Sequence, residues 1–410
     1  MNRVVIFSAL VISIFLLIFI ESVKATDPII EKSELLISKK KYASAYKLLN
    51  KAEIKTKSID YLIKRQELLL KYGISTNKHQ TFYIKDIKSE QEILNFSENS
   101  KGFLKVNYDA ISLFDSLLKK DPNNCKLNKA YGEYYFDAYL KYSENWIISK
   151  KDLLQRIAIY NEKATYSTCA EAINYYALGQ VLINKNKFKE SIYFFNIAVT
   201  KDSVNAYYLY NLAYAYLFVR NNEKAIVHAQ KAIKYSTNTL LSNDAYRLIG
   251  QAYVDMKEYD KAIRNFELAD RLDTTSYANK MSIINVYLKT NNPNWDSILN
   301  IVYEYAKYDV QFYNLTERVF ESNQALDKLL LVYENLYKKN ESNDTLAGNL
   351  LYFMGRIHSY SNIEKARNMY LSSKDRFEKI YQKDHNVFVV IRESIDALNE
   401  YDNELDRSKK

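Results

Sequence analysis

The chain has 410 residues, with 58 Lys and Arg against 49 Asp and Glu, a net charge of +9, and both signs are spread along it. A nucleic-acid reader would gather its cations on one face, so that class is set aside. Seven Gly and three Pro leave little material for strand turns, phosphate-cradling loops or flexible linkers, and helices joined by short polar turns are expected instead.

In chain order, the first segment is 1–25. Arg3 precedes an apolar run from Val4 to Ile20, broken only by Ser8 and Ser13, and Glu21-Ser22-Val23-Lys24-Ala25 follows. This pattern predicts a secretory signal peptide cleaved after Ala25. A helix of that length rises ~26–30 Å, so a single N-terminal membrane anchor is the alternative. No Cys follows the run, which argues against a lipid anchor. Cleavage removes Arg3, Lys24 and Glu21 and leaves 56 basic and 48 acidic residues, net +8. The expected location is the periplasm or the cell envelope.

Segment 26–92 opens with the stripe Tyr42-Ala45-Leu49-Ala52, whose spacing of three, four and three marks one helix face. Residues 73–92 are irregular. Segment 93–171 repeats the stripe loosely at Ala110-Phe114-Leu117, closes it with Asp121-Pro122, reopens at Tyr131-Gly132 and carries an insertion at 143–152. Segment 172–274 is the most regular. Phe188-Ser191-Phe195-Ala198 returns as Asn222-Ala225-Ala229-Ala232 and again as Tyr259-Ala262-Phe266-Ala269, 34 and then 37 residues apart. Upstream stand Leu178-Gly179, Leu212-Ala213 and Ile249-Gly250, each small residue 12 positions before the second stripe's Ser or Ala. A helix pair with this period buries its apolar face only by stacking on its neighbours, so one continuous α-solenoid is predicted. Segment 275–400 keeps helical periodicity (Ile283, Ile284, Tyr287; Ile298, Ile301, Val302, Tyr305) and one further small-residue crossing, Gly355 before Ile363-Ala366-Tyr370-Ser373. Residues 401–410 read as a tail.

These features resemble the tetratricopeptide-repeat family, whose unit is a 34-residue antiparallel helix pair with small residues where the helices cross. The match is strong over 172–274 and degenerate over most of the remainder. The resemblance implies an all-α fold of helix pairs forming a right-handed superhelix. The family's closing proline is replaced by Ser203, Thr237 and Thr274, which are expected to cap the following helices.

The two cysteines, Cys125 and Cys169, precede neighbouring first helices. Adjacent helix axes lie ~8–10 Å apart, whereas a disulfide needs Cα atoms within ~7 Å. Buried small hydrophobes are therefore the favoured reading and a bridge the alternative. His79, His228, His358 and His385 are scattered without ligand spacing, and no metal, cofactor or catalytic residue is assigned.

Tyrosine stands out at 38 residues, since its ring suits both solenoid packing and recognition surfaces. In the family, the first helix of each pair lines a concave groove at set positions. Carried onto this sequence, those positions imply a peptide-binding groove of Tyr176 and Gln180, then Tyr207, Tyr210, Asn211 and Tyr214, then Arg247 and Gln251. Asn211 matches an Asn that pairs with ligand backbone in peptide-binding units. The cations that clamp a peptide's C-terminal carboxylate are not reproduced. The resulting expectation is a non-catalytic scaffold that binds a protein or extended peptide, without nucleic acid, in a possible peripheral membrane complex. The alternative is a glycan- or nutrient-binding envelope protein distantly like SusD-type proteins.

Overall fold

The structure, a computed structural model, describes residues 27–94, 96–290, 294–306 and 309–408. The expected signal peptide at 1–25 lies outside them. Among the described residues no helix is long and apolar enough to cross a membrane. The chain divides into two compact units, one ending at Ser203 and the other starting at Val204.

The first unit contains α1 (Pro28–Ser38), α2 (Tyr42–Thr56), α3 (Ile59–Tyr72), β1 (Ile74–Thr76), β2 (Thr81–Ile84), a short α4 (Gln91–Leu94), β3 (Leu104–Asn107), α5 (Ala110–Lys120), α6 (Cys125–Tyr142), α7 (Lys150–Thr165), α8 (Ala172–Asn184) and α9 (Phe188–Lys201). The second contains α10 (Ala206–Phe218), α11 (Asn222–Tyr235), α12 (Thr239–Asp255), α13 (Tyr259–Leu272), α14 (Tyr277–Lys289), α15 (Trp295–Ala306), α16 (Val310–Ser322), α17 (Leu326–Lys339), α18 (Asp344–His358), α19 (Ile363–Phe377) and α20 (Asn386–Ser408). The all-α solenoid fold is thus observed, with consecutive antiparallel pairs and one small sheet. The tail expected from 401 is the continuation of α20, where Asp402 accepts from Arg367 at 2.7 Å.

Each regular pair turns through one left-handed residue: Lys40, Asn186, Arg220, Lys257 or Gln324. Their turns share one hydrogen-bond pattern. Asn221 N–H donates to the Tyr216 carbonyl and Arg220 N–H to that of Leu217, which satisfies the last carbonyls of the first helix. The same geometry recurs at 257–258 and 324–325. The residue seven positions before the left-handed one then lies against the residue nine positions after it. Gly179 meets Phe195 in this way, and Gly250 meets Phe266. The same offsets pair Ser33 with Leu49, Ala213 with Ala229 and Glu317 with Tyr333, all buried. Gly355 meets Tyr370 with a turn one residue shorter.

The caps differ from expectation. Asn205 and Asn238 accept from the first backbone N–H groups of α10 and α12, and Ser276 stands at the cap position of α14. Ser203, Thr237 and Thr274 lie one or two residues too early. The cysteines also differ: Cys125 and Cys169 form a disulfide with Cα atoms 5.9 Å apart. Cys125 is the first residue of α6 and Cys169 lies in the turn before α8, so the spacing of helix axes does not limit their approach.

The irregular 73–92 begins an antiparallel three-stranded sheet of order β1-β2-β3, with Phe82 opposite Val106 and β2 buried. The turn between β1 and β2 holds Asn77, Lys78 and His79 at positive φ, a conformation costing roughly 1–2 kcal/mol per residue. The insertion after α6 holds it in place. Trp146 Nε1 donates to the Lys78 carbonyl at 2.7 Å, and the Tyr134 hydroxyl donates to that of His79 at 3.0 Å. His79 is fully buried, and burial pushes its pKa down despite Asp137, whose Oδ2 lies 3.1 Å from Nε2. The two irregular stretches therefore form one feature.

A Cβ on Gly250 would stand 2.7 Å from the Phe266 ring. Gly250→Ala should destabilise the protein by about 1–3 kcal/mol through overpacking, although Ala is the better helix former. In a Phe266→Ala background the same change should become stabilising, by about 1 kcal/mol. Urea unfolding of the four proteins measures the coupling, and a stabilising Gly250→Ala in the wild-type background rules out the tight crossing.

Candidate functional site

Within the second unit, the first helices α10, α12, α14 and α16 present successive faces at helical spacing. Tyr210, Tyr214 and Leu217 of α10 line a cavity of about 320 Å³ with Asp244, Arg247, Leu248 and Gln251 of α12, and Phe266 and Ser282 complete it. A second cavity of about 360 Å³ lies between α14 and α16, with Met281, Ser282, Asn285, Leu315, Arg318 and Ser322 among its walls. Ser282 belongs to both, so the two form one groove across four helices.

Aromatic rings dominate one end. The Tyr210 and Tyr214 centroids are 6.5 Å apart, and Tyr214 lies 4.7 Å from Phe218, which is half exposed. Burial, then the Asp244 charge, pushes the Tyr210 phenol up to about 12, so it remains a hydrogen-bond donor at neutral pH. Arg247 Nη1 stands 3.5 Å from Asp244 Oδ1, a loose contact, and its Nε is buried without a hydrogen-bond partner. Gln251 donates to Asp255 at 3.0 Å, and Arg220 holds the other oxygen of that carboxylate at 2.7 Å.

Of the residues expected from sequence, Tyr210, Tyr214, Arg247 and Gln251 come together here. Tyr207 and Asn211 are not part of the cavity wall. The Tyr207 hydroxyl accepts from Asn238 at 3.0 Å, and the Asn211 amide donates to the Tyr207 carbonyl at 2.9 Å, one turn back in its own helix. Tyr176, in the first unit, is only 7% exposed and packs between Phe136 and Phe195, with centroids 5.6 and 5.7 Å away. It is a core residue. Gln180 is half-buried, and its carbonyl accepts from Asn184 at 3.0 Å. Ser282, Asn285, Arg318 and Ser322 were not anticipated, since α14 and α16 lack the small crossing residue that sets the register.

The first helices of the first unit carry a ladder of ion pairs. Lys64 of α3 pairs with Glu34 of α1 at 3.0 Å and with Glu67 at 3.6 Å. Lys129 of α6 approaches Glu67 at 3.7 Å and Glu133 at 3.8 Å, and pairs closely with Glu171 before α8.

A family model described as a tetratricopeptide repeat matches residues 206–239 and 244–275. Residues 206–239 and 244–275 are thus tetratricopeptide repeats. The matched repeats are α10–α11 and the greater part of α12–α13, whose first helices carry the aromatic end of the groove. No curated protein matches the chain. Among solved structures, it is similar to a tetratricopeptide-repeat protein from Parabacteroides merdae at 16% identity, over 70% of this chain and 99% of that one, with a TM-score of 0.38. It is similar to MamA at 24% identity over 40% and 86%, with a TM-score of 0.34. The likeness to Pseudomonas aeruginosa pilF is 18% over 60% and 99%, with a TM-score of 0.37.

The charge ladder of the first unit has a pH consequence. Burial, followed by repulsion from Glu67 and Glu171, pushes Glu133 up to about 7 against the pull of Lys129. The folded state therefore holds a proton that the unfolded chain releases near pH 4.5. The stabilisation is full below that pH and is lost as the pH rises towards 7. Glu133→Gln should remove this dependence. Measured by urea unfolding, the stability of wild type minus variant should fall by up to about 3 kcal/mol from pH 4.5 to 7. A flat difference would show that Glu133 ionises freely.

Proposed function

We propose that the protein is a non-catalytic scaffold that binds an extended segment of a protein partner along the α10–α12–α14–α16 groove. The observation that carries this reading is the continuity of the two cavities at Ser282, with aromatic rings at one end and arginines and amides beyond. First helices ~8–10 Å apart give a groove that roughly seven to nine residues of extended chain would span. An aromatic or aliphatic side chain would bury itself against Tyr210, Tyr214 and Leu217. Gln251, Ser282 and Asn285 would pair with backbone amides, and Arg247 and Arg318 would meet acidic side chains. Aromatic and Arg anchors of this kind carry most of the energy in protein interfaces.

The signal-like segment 1–25 supports an exported, envelope-associated location, which is part of the same proposal. A purified protein starting near Thr26 supports cleavage, whereas an intact Met1 in a membrane fraction supports the anchored form. Cytosolic recovery with Met1 intact defeats both.

Affinity capture from the source envelope tests the groove. Tyr210→Ala with Arg247→Ala should weaken the captured partner at least tenfold, as measured by biolayer interferometry, while circular dichroism stays unchanged. Retention of every partner by the folded variant would remove the groove from the function. A glycan-array signal lost in the same variant would favour the carbohydrate-binding alternative.

A further inference from the structure

A second kind of cavity, about 460 Å³, opens between α19 and α20 of the same unit, far along the chain from the groove. Its floor is Leu371 of α19 with Phe388, Ile391 and Ile395 of α20. Leu371 remains 44% exposed, so the apolar surface is open to solvent. Around it stand Lys374 of α19, Lys383 of the connecting turn and Arg392 of α20. Glu378 is the acid of the lining and pairs with Lys374 at 3.4 Å. Among the described residues Lys383 and Arg392 have no ion-pair partner. The lining thus carries three cations and one carboxylate above an apolar floor.

The chemistry differs from the groove in a decisive way. Both walls are α-helices, whose backbone N–H and C=O groups are taken up by their own ladders. No amide or hydroxyl side chain lines the cavity; its polar members are all charged. An extended peptide would bury unpaired amides here, at a cost for each. A ligand with an apolar body and one anionic end would leave nothing unpaired. The volume lies within the range of small-ligand sites.

We propose that this cavity binds a single-chain amphiphile with an anionic head group, of the long-chain carboxylate type. Its chain lies on Leu371, Phe388, Ile391 and Ile395, and its head group is held between Lys383 and Arg392. Guanidinium and ammonium groups form charge-assisted hydrogen bonds with such a head. Each buried methylene adds about fourfold in affinity, so longer chains bind more tightly. The proposal is independent of the peptide groove.

Calorimetric titration of the full chain with laurate below its micelle concentration tests it. The expected result is saturable one-to-one binding, weaker for octanoate and at least tenfold weaker for dodecanol and dodecyltrimethylammonium. Lys383→Glu with Arg392→Glu, both exposed positions, should reduce laurate affinity at least tenfold. Circular dichroism and partner capture by the groove should stay unchanged in that variant. Absence of laurate binding, equal binding of all three twelve-carbon probes, or indifference to the charge reversal would each overturn the proposal. Sedimentation with phosphatidylglycerol vesicles without laurate binding would also overturn it, in favour of a membrane-surface contact.

Discussion

The close crossing of the two helices in each pair is the constraint on which the remaining structure depends. Each left-handed turn residue fixes where the second helix starts, so the residues seven before and nine after it must share one small space. The chain fills that space in complementary ways: Gly with Phe, Ala with Ala, Ser with Leu. At Glu317 and Tyr333 the rule bends, because a buried carboxylate stands where a small residue is usual. Arg356 of α18 satisfies it, its Nη2 lying 2.6 Å and its Nε 2.9 Å from Oε2. Removing that arginine would leave a buried charge without its partner, so the next helix pair is coupled to this one by electrostatics as well as packing.

This constraint explains what could be read in the sequence. Over 172–274 the stripe and the small residue occur together, and helix pairs, turns and crossing contacts follow directly. Over 310–339 Glu317 hides the crossing, yet the polar turn at Asn323-Gln324 and Tyr333 nine residues on mark the same pair. The sheet is harder to see, since its strands run three or four residues and β2 is an apolar run buried on both faces. The residue after β3 is tied to two of the helices. The Tyr108 hydroxyl donates to Gln66 at 2.9 Å, and Gln66 in turn donates to the Ala130 carbonyl at 2.6 Å.

The groove was legible as far as its register. Tyr210, Tyr214, Arg247 and Gln251 follow from their places in first helices whose crossing residue is visible. Asn285 and Arg318 do not, because without that residue the rotation of α14 and α16 is not set. Tyr176 misled for another reason. Its helical position is right, but Phe136 and Phe195 close over it, and which ring covers which cannot be seen from spacing alone.

The first helices of the two units carry different patterns of charge. In the first, cations and carboxylates alternate from Glu34 through Lys64, Glu67 and Lys129 to Glu171, so the side chains satisfy one another. The Cys125–Cys169 bond ties the start of α6 to that of α8 on the same stretch. In the second, Asp244 is the acid within the cavity lining and stands 3.5 Å from Arg247, while Arg318 has no ion-pair partner among the described residues. Arginine keeps its charge throughout the physiological range and can bind carboxylates in a forked geometry. The amides and hydroxyls of the groove have local partners, Gln251 with Asp255, Asn285 with Asn323 and Ser282 with the Ala278 carbonyl, so Arg318 is the polar group that sets this lining apart from the paired ladder of the first unit.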